Sequence, residues 1–194
     1  MNLEQQREYW MNDTIEHAYE WGDPLSKHAT QKDGMVLGNY YAIFVNVLPY
    51  IMGRNVVEIG CGAGKWTQLL ASYAREIIGV DITPQERFSR NEKTSFYQSE
   101  GFELWGIDDN RSDFVFSMDA LIRTPFCDLK KYVKEFERVL NPNGKMCIHL
   151  PCSEQELSRV FGFTPLSSDD IRGMFSRECV LDLDTINHGV LVWI

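Results

Sequence analysis

Three alternate glycines, Gly60, Gly62 and Gly64, with Glu58 just ahead and Lys65 directly after, are the residues whose types and spacing most directly imply chemistry. Glycines in such a run let the backbone turn sharply and let a ligand approach main-chain amides at the start of a helix. The loop therefore reads as a nucleotide-type binding site, and spacing decides which nucleotide. A dinucleotide fingerprint puts its third glycine, or an alanine, where this chain has Lys65. A phosphate-binding P-loop needs glycine in place of Ile59 and Ser or Thr in place of Trp66. A nicotinamide oxidoreductase is thus disfavoured, and ATP hydrolysis is not expected.

Three further groups could do chemistry. Asp81 ends the short apolar run Ile77-Ile78-Gly79-Val80-Asp81, about twenty residues beyond the first glycine. A carboxylate there can accept from both hydroxyls of a ribose, at roughly 1.5–3 kcal/mol per charge-assisted bond; the plain alternative is a helix-capping aspartate. Met118 and Asp119 emerge from Asp113-Phe114-Val115-Phe116-Ser117, a run apolar enough to be buried on both faces. Open parallel sheets bind ligands at such strand ends, although Asp119 could instead cap the next turn. His149 lies near the end of Lys145-Met146-Cys147-Ile148-His149-Leu150. An imidazole with an ordinary pKa of about 6.5 suits proton removal near neutrality, and a buried histidine satisfied by backbone groups is an equal alternative.

The elements that must position these groups follow from periodicity. Val56 to Ile59 is the strand before the loop, and Trp66, Leu69, Leu70 and Tyr73 line one face of the helix after it. Pro84 to Asn91 suits a short helix and Thr94 to Gln98 a strand. A helix over Leu129 to Leu140, with Asp128 as N-cap, turns Leu129, Tyr132, Val133, Phe136 and Leu140 to the sheet and stops at Asn141-Pro142-Asn143-Gly144. Ser153-x-x-Glu156 and Ser167-x-x-Asp170 read as capping boxes. Val180 to Thr185 and Val190 to Trp193 flank Asn187-His188-Gly189 as a hairpin. Before the loop lie Tyr9, Trp10, Tyr19 and Trp21, a turn at Trp21-Gly22-Asp23-Pro24, and a helical pattern of Tyr40, Ile43, Phe44, Val47, Leu48 and Ile51 capped by Asn39. The aromatics are read as packing within a small helical layer.

The 194 residues suit one domain, with 44% hydrophobic and 12% aromatic residues as in a folded globular protein. Nineteen basic against twenty-eight acidic residues give a net charge of −9, which disfavours a nucleic-acid partner. The first residues lack the apolar core of a signal peptide, and no run of ~18 apolar residues occurs, so no membrane partner and a cytoplasmic location are expected. Five cysteines without a C-x-x-C pair suggest reduced thiols and no metal site.

Glu58-x-Gly60-x-Gly62-x-Gly64, taken with Asp81 and with Arg138-Val139-Leu140-Asn141-Pro142-Asn143-Gly144, resembles the motifs of class I S-adenosylmethionine-dependent methyltransferases of type 11. The resemblance covers about residues 51–152 by motif and the tail beyond them by topology only. It implies an α/β, Rossmann-like doubly wound sheet of about seven strands, mostly parallel with an antiparallel C-terminal hairpin. It implies a single methyltransferase domain over 1–194, with a helical cap at 1–50, a cofactor-binding core at 51–152 and C-terminal helices and hairpin at 153–194. The expected donor, S-adenosyl-L-methionine, would be held by Glu58, Gly60, Cys61, Gly62, Gly64, Asp81, Ile82, Ser117 and Met118, with Glu100, Gly101 and Phe102 at the adenine. His149 is the first candidate base and Asp119 the second.

Relatives often carry a histidine where this chain has Arg123, a departure that points to an anionic acceptor group. The implied activity is O-methylation of a small molecule such as a sugar or secondary metabolite; a catalytically inactive adenosylmethionine-binding partner subunit is the alternative. A homodimer stays open, since the residues do not settle the oligomeric state.

Overall fold

The computed structural model describes residues 2–17, 34–84, 88, 90–186 and 188–194. Helix α1 spans Leu3–His17 and α2 spans Gly34–Ile51, followed by β1 (Asn55–Ile59), α3 (Lys65–Ala71), β2 (Glu76–Asp81), β3 (Thr94–Gln98) and β4 (Ser112–Ser117). Then come α4 (Phe126–Val139), β5 (Leu140–Leu150), the short helices α5 (Glu156–Val160) and α6 (Ser168–Arg172), β6 (Val180–Asp182) and β7 (Val190–Trp193). Tyr19, Trp21 and the turn at Trp21 to Pro24 lie outside the described residues, as do parts of the expected helix at Pro84 to Asn91 and Asn187 of the hairpin.

The strands form one sheet in the order β3-β2-β1-β4-β5-β7-β6. Pairs among β1 to β5 are parallel, while β7 is antiparallel to both β5 and β6. This is the α/β, doubly wound arrangement expected. Because side chains alternate across a strand, consecutive residues feed opposite layers. Val56, Phe114, Phe116 and Cys147 pack beneath Ile43, Val47 and Ile51 of α2 and Trp66 and Leu70 of α3. Val57, Val115, Met146 and Ile148 pack against Leu129, Val133 and Phe136 of α4. Phe114, Phe116 and Phe136 are fully buried, each contributing roughly 1.5–3 kcal/mol by leaving water.

Several local expectations are corrected. Helix α2 starts at Gly34, so Asn39 lies within it and is not its cap. Helix α3 buries Trp66, Thr67 and Leu70, whereas Leu69 and Tyr73 are exposed, because the helix ends at Ala71 and turns its i, i+1 and i+4 positions inward. Asp128 sits in the first turn of α4 and pairs with Lys131; Pro125 holds the N-cap position. Leu140 to Gly144 belong to β5, with a register shift between Ser112 and Phe114 that absorbs the extra residues. Ser153 caps no helix, since its N–H and hydroxyl both donate to the Leu166 carbonyl. Ser167 and Asp170 do form the reciprocal capping box. Among the described residues no helix is long and apolar enough to cross a membrane.

Candidate functional site

The strand order reverses between β1 and β4, and open α/β sheets bind ligands beyond the carboxyl ends of strands at such a switch point. The glycine loop leaves β1 there. Gly60, Gly62 and Gly64 have φ of 71, 50 and 92°, the left-handed region in which a side chain would be strained. Gly60 and Cys61 donate to the Val80 carbonyl at 2.7 and 3.0 Å, which folds the loop back over β2. A Cβ on Gly60 would overlap the Cβ of Ala120, so the glycine is what lets the segment after β4 close against the loop. A Cβ on Gly62 would meet nothing within 4 Å, so open space lies before this part of the loop.

Asp81 stands beside the loop at the end of β2. Its Oδ2 accepts from the Gly62 N–H at 2.9 Å, and its Oδ1 accepts from the main chain and hydroxyl of Thr83 at 2.9 and 2.7 Å. One carboxylate thus ties the end of β2 to the glycine loop and brings a negative charge beside the cradle. Glu58 plays a different part: it is buried and accepts from the Thr67 hydroxyl at 2.5 Å, joining β1 to α3 beneath the loop. Burial pushes its carboxyl up to about 8. Cys61 is buried, and burial raises its thiol far above the ordinary value. Ile82 is half-buried directly after Asp81. Ser117 is buried and donates to the Ile59 carbonyl at 3.1 Å, linking the ends of β4 and β1. Met118 is buried in the layer of Trp66 and Phe116.

Past β3, Glu100 is exposed and Gly101 is buried. Phe102 stacks edge-on to Tyr132, 6.4 Å between centres, with the Lys131 ammonium 4.4 Å from its ring centre. Helix α1 runs across this region. A Cβ on Gly101 would stand 2.9 Å from the Leu3 side chain, and Arg7 donates to the Ser99 carbonyl at 3.2 Å. Tyr9, farther along α1, lies against Arg123 beyond β4. Arg138, read in the sequence as part of a motif, braces the chain locally, for it donates to the Leu104 and Ile107 carbonyls and pairs with Glu135 and Asp109.

The most concentrated chemistry lies beyond β4, on the far side of this switch point from Asp81. Asp119 has φ of 59°, unusual for a residue with a side chain, and the turn aims its carboxylate at two imidazoles. Its Oδ1 lies 2.9 Å from Nδ1 of His149 and 3.0 Å from Nε2 of His188. The rings of His149 and His188 stand edge to face with centres 4.8 Å apart. Burial alone would raise the Asp119 carboxyl, but hydrogen bonds from both histidines hold it well below the usual carboxylate range. Burial depresses His149, against the opposing pull of Asp119, so its ring is neutral near pH 7. Its side chain is 0% exposed, compared with 23% for His188 and 39% for Asp119. The Nε2 of His149 is buried without a partner and faces Gly189, where a Cβ would overlap it.

Structure therefore joins Asp119 and His149, both singled out in the sequence, and adds His188, which reads there only as part of a hairpin turn. The connection from β6 to β7 is a longer loop, and Leu191 pairs with His149 across the sheet. The only sequence signal was a histidine beside a glycine at a strand entrance.

A family model described as a methyltransferase domain matches residues 57–148. A ubiquinone biosynthesis O-methyltransferase of Coxiella burnetii is 22% identical over 135 residues, covering 66% of this chain and 56% of that protein. The chain thus spans a little over half the length of such curated relatives. Among solved structures, the DhpI complex with SAM and HEP superposes with a TM-score of 0.72 at 17% identity, covering 98% of this chain and 96% of that one. PH0226 of Pyrococcus horikoshii gives 0.67 at 19% identity, with 96% and 97% covered. Over residues 57–148 the chain thus matches a methyltransferase domain, and its fold is the α/β fold of these solved structures, one of them a complex with SAM.

Proposed function

We propose that the chain transfers a methyl group from S-adenosylmethionine to an oxygen of a small molecule such as a sugar or secondary metabolite. The observation that carries this reading is the meeting of two half-sites at one switch point. The open cradle at Gly62 and Asp81 abuts the Asp119, His149 and His188 cluster, because Ala120 packs on Gly60. The residues fit the donor: the loop is open at Gly62, where even an added Cβ would meet nothing within 4 Å, and Asp81 is a carboxylate of the kind that accepts from ribose hydroxyls. When bound, S-adenosylmethionine supplies an electrophilic methyl group on a sulfonium.

The chain's own residues would then act on the acceptor. His188, the more accessible imidazole, takes the hydroxyl proton, and the Asp119 carboxylate orients the ring and stabilises the imidazolium. His149 is shut away from any acceptor and serves as a positioning residue for Asp119. Helix α1, lying over Gly101 and against Arg123, would cap both halves and exclude water. Orientation can contribute ~7–11 kcal/mol, against about 10²–10⁴-fold from one general base, so the cradle and the cap outweigh the histidine. Relatives lend support: DhpI is solved with SAM, and the Coxiella relative is named for O-methylation.

Calorimetric titration with S-adenosylmethionine and S-adenosylhomocysteine, beside Asp81→Ala, tests the donor half. Binding lost in the variant is the expected result, followed by transfer of labelled methyl to a panel of hydroxylated acceptors. Absence of adenosyl binding by the folded wild type refutes the reading. Tight binding with no transfer to any acceptor would favour an inactive partner subunit.

A further inference from the structure

We infer that Arg123 is the recognition point for an oxyanionic group on the acceptor, an inference that rests on the methyl-transfer reading of the neighbouring cluster. Arg123 lies four residues beyond Asp119. Its guanidinium carbon is 5.9 Å from the ring centre of Tyr9 and 5.4 Å from that of Phe163. Tyr9 comes from α1 and Phe163 from the segment after α5. Thr164 holds that segment in place: its N–H donates to the Ile122 carbonyl at 3.1 Å and its hydroxyl to the Thr124 carbonyl at 2.9 Å. Thr164 therefore pins the main chain on either side of Arg123, at Ile122 and at Thr124.

Among the described residues Arg123 has no anion beside it. Arg111 pairs with Glu76, and Arg138 with Glu135 and Asp109, but no carboxylate among the described residues pairs with Arg123, in a chain with twenty-eight acidic residues. Aromatic rings attract the guanidinium through their π-electron faces and satisfy none of its five N–H donors. Those donors lie in the plane of the group, in the fork that receives two oxygens of a phosphate, phosphonate, sulfate or carboxylate.

Position adds direction. Phe163, which lies against Arg123, is also 6.5 Å from the ring of His188, whose Nε2 reaches Asp119 at 3.0 Å. An acceptor whose anionic end rests on Arg123 would lie along Phe163 and present its hydroxyl to His188. Charge selects for the same contact. On a molecule of net charge −9, a small anion is repelled by most of the surface and is held where a cation stands with no carboxylate paired to it among the described residues.

The test is calorimetry on the full chain saturated with S-adenosylhomocysteine, using inorganic phosphate, methylphosphonate and acetate as probes. Wild type, Arg123→Gln and Arg123→Lys are compared. The expected result is oxyanion binding by wild type, weakened at least about tenfold in Arg123→Gln and less in Arg123→Lys, whose point charge lacks the fork. Unchanged affinity for S-adenosylhomocysteine in all three shows that the fold is intact. Preference for the tetrahedral probes assigns a phosphate-like group, and preference for acetate a carboxylate. Equal binding by wild type and Arg123→Gln, or no binding of any probe at millimolar concentration, overturns the assignment. Should S-adenosylhomocysteine fail to bind while probe binding still depends on Arg123, the methyl-transfer reading falls and the anion site stands.

Discussion

Replacing Gly60 by alanine tests the joint between the two half-sites. Two separate costs can be worked out. Gly60 has φ of 71°, where an L-residue costs roughly 1–2 kcal/mol. The new methyl would also overlap the Cβ of Ala120 and stand 3.4 Å from its Cα, so the segment carrying Asp119 must move. Inserting a methyl into a packed contact typically costs about 1–3 kcal/mol. The sum, on the order of 2–5 kcal/mol, lowers the melting temperature by about 4–20 °C in a chain of this length. Gly60→Ala combined with Ala120→Gly removes the overlap and leaves the backbone strain, so the pair should recover the packing part and couple strongly. Thermal denaturation followed by circular dichroism reads both costs, and S-adenosylhomocysteine titration reads the cradle. A Gly60→Ala protein that melts within ~2 °C of wild type, or a double variant no more stable than the single one, would show the reasoning to be wrong.

Two further outcomes are expected. The Glu58 carboxyl is pushed up to about 8 by burial from an ordinary 4.5, so between those values the unfolded chain has lost a proton that the folded chain keeps. Stability therefore falls as pH rises through that window, by up to about 1.4 kcal/mol per pH unit for one proton. His149, depressed by burial, works in the opposite sense below about pH 6.5, which leaves pH 7 to 8 as the clean interval. Urea denaturation should show a decline there that Glu58→Gln flattens; an unchanged slope in the variant would count against a buried protonated Glu58. In the proposed reaction, His188→Ala and Asp119→Asn should lower kcat about 10²-fold or more without weakening donor binding. The deficit should narrow at high pH as the acceptor ionises by itself, and chelators should leave the rate unchanged.

Features that depend on one stretch of chain were legible in the residues themselves. Gly60, Gly62 and Gly64 announce a loop because positive φ is a demand made at each position alone. The sheet-facing pattern of Leu129, Tyr132, Val133 and Phe136, and the Ser167 to Asp170 capping box, are likewise settled within a few residues. Local reading failed where a distant partner intervened. Ser153 looks like a cap, yet its donors go to Leu166. Asn141 to Gly144 look like a stop, yet pairing with β4 draws them into β5 through a register shift.

The cluster of Asp119, His149 and His188 shows the same division most sharply. Asp119 and His149 could each be suspected from its place at a strand end, but nothing near His188 marks it as their neighbour. Only the order β4-β5-β7 puts their three chain segments side by side, and only the antiparallel register of β7 on β5 lets His188 stand over His149. The sequence by itself determined the glycine loop, the strands and the amphipathic helices, because residue type acts there through the backbone of its own segment. The tertiary structure alone decided which carboxylate meets which imidazoles, because contacts across 30 and 69 residues, the Asp119 N–H donating to His149 Nδ1 among them, are set by strand pairing and not by spacing along the chain.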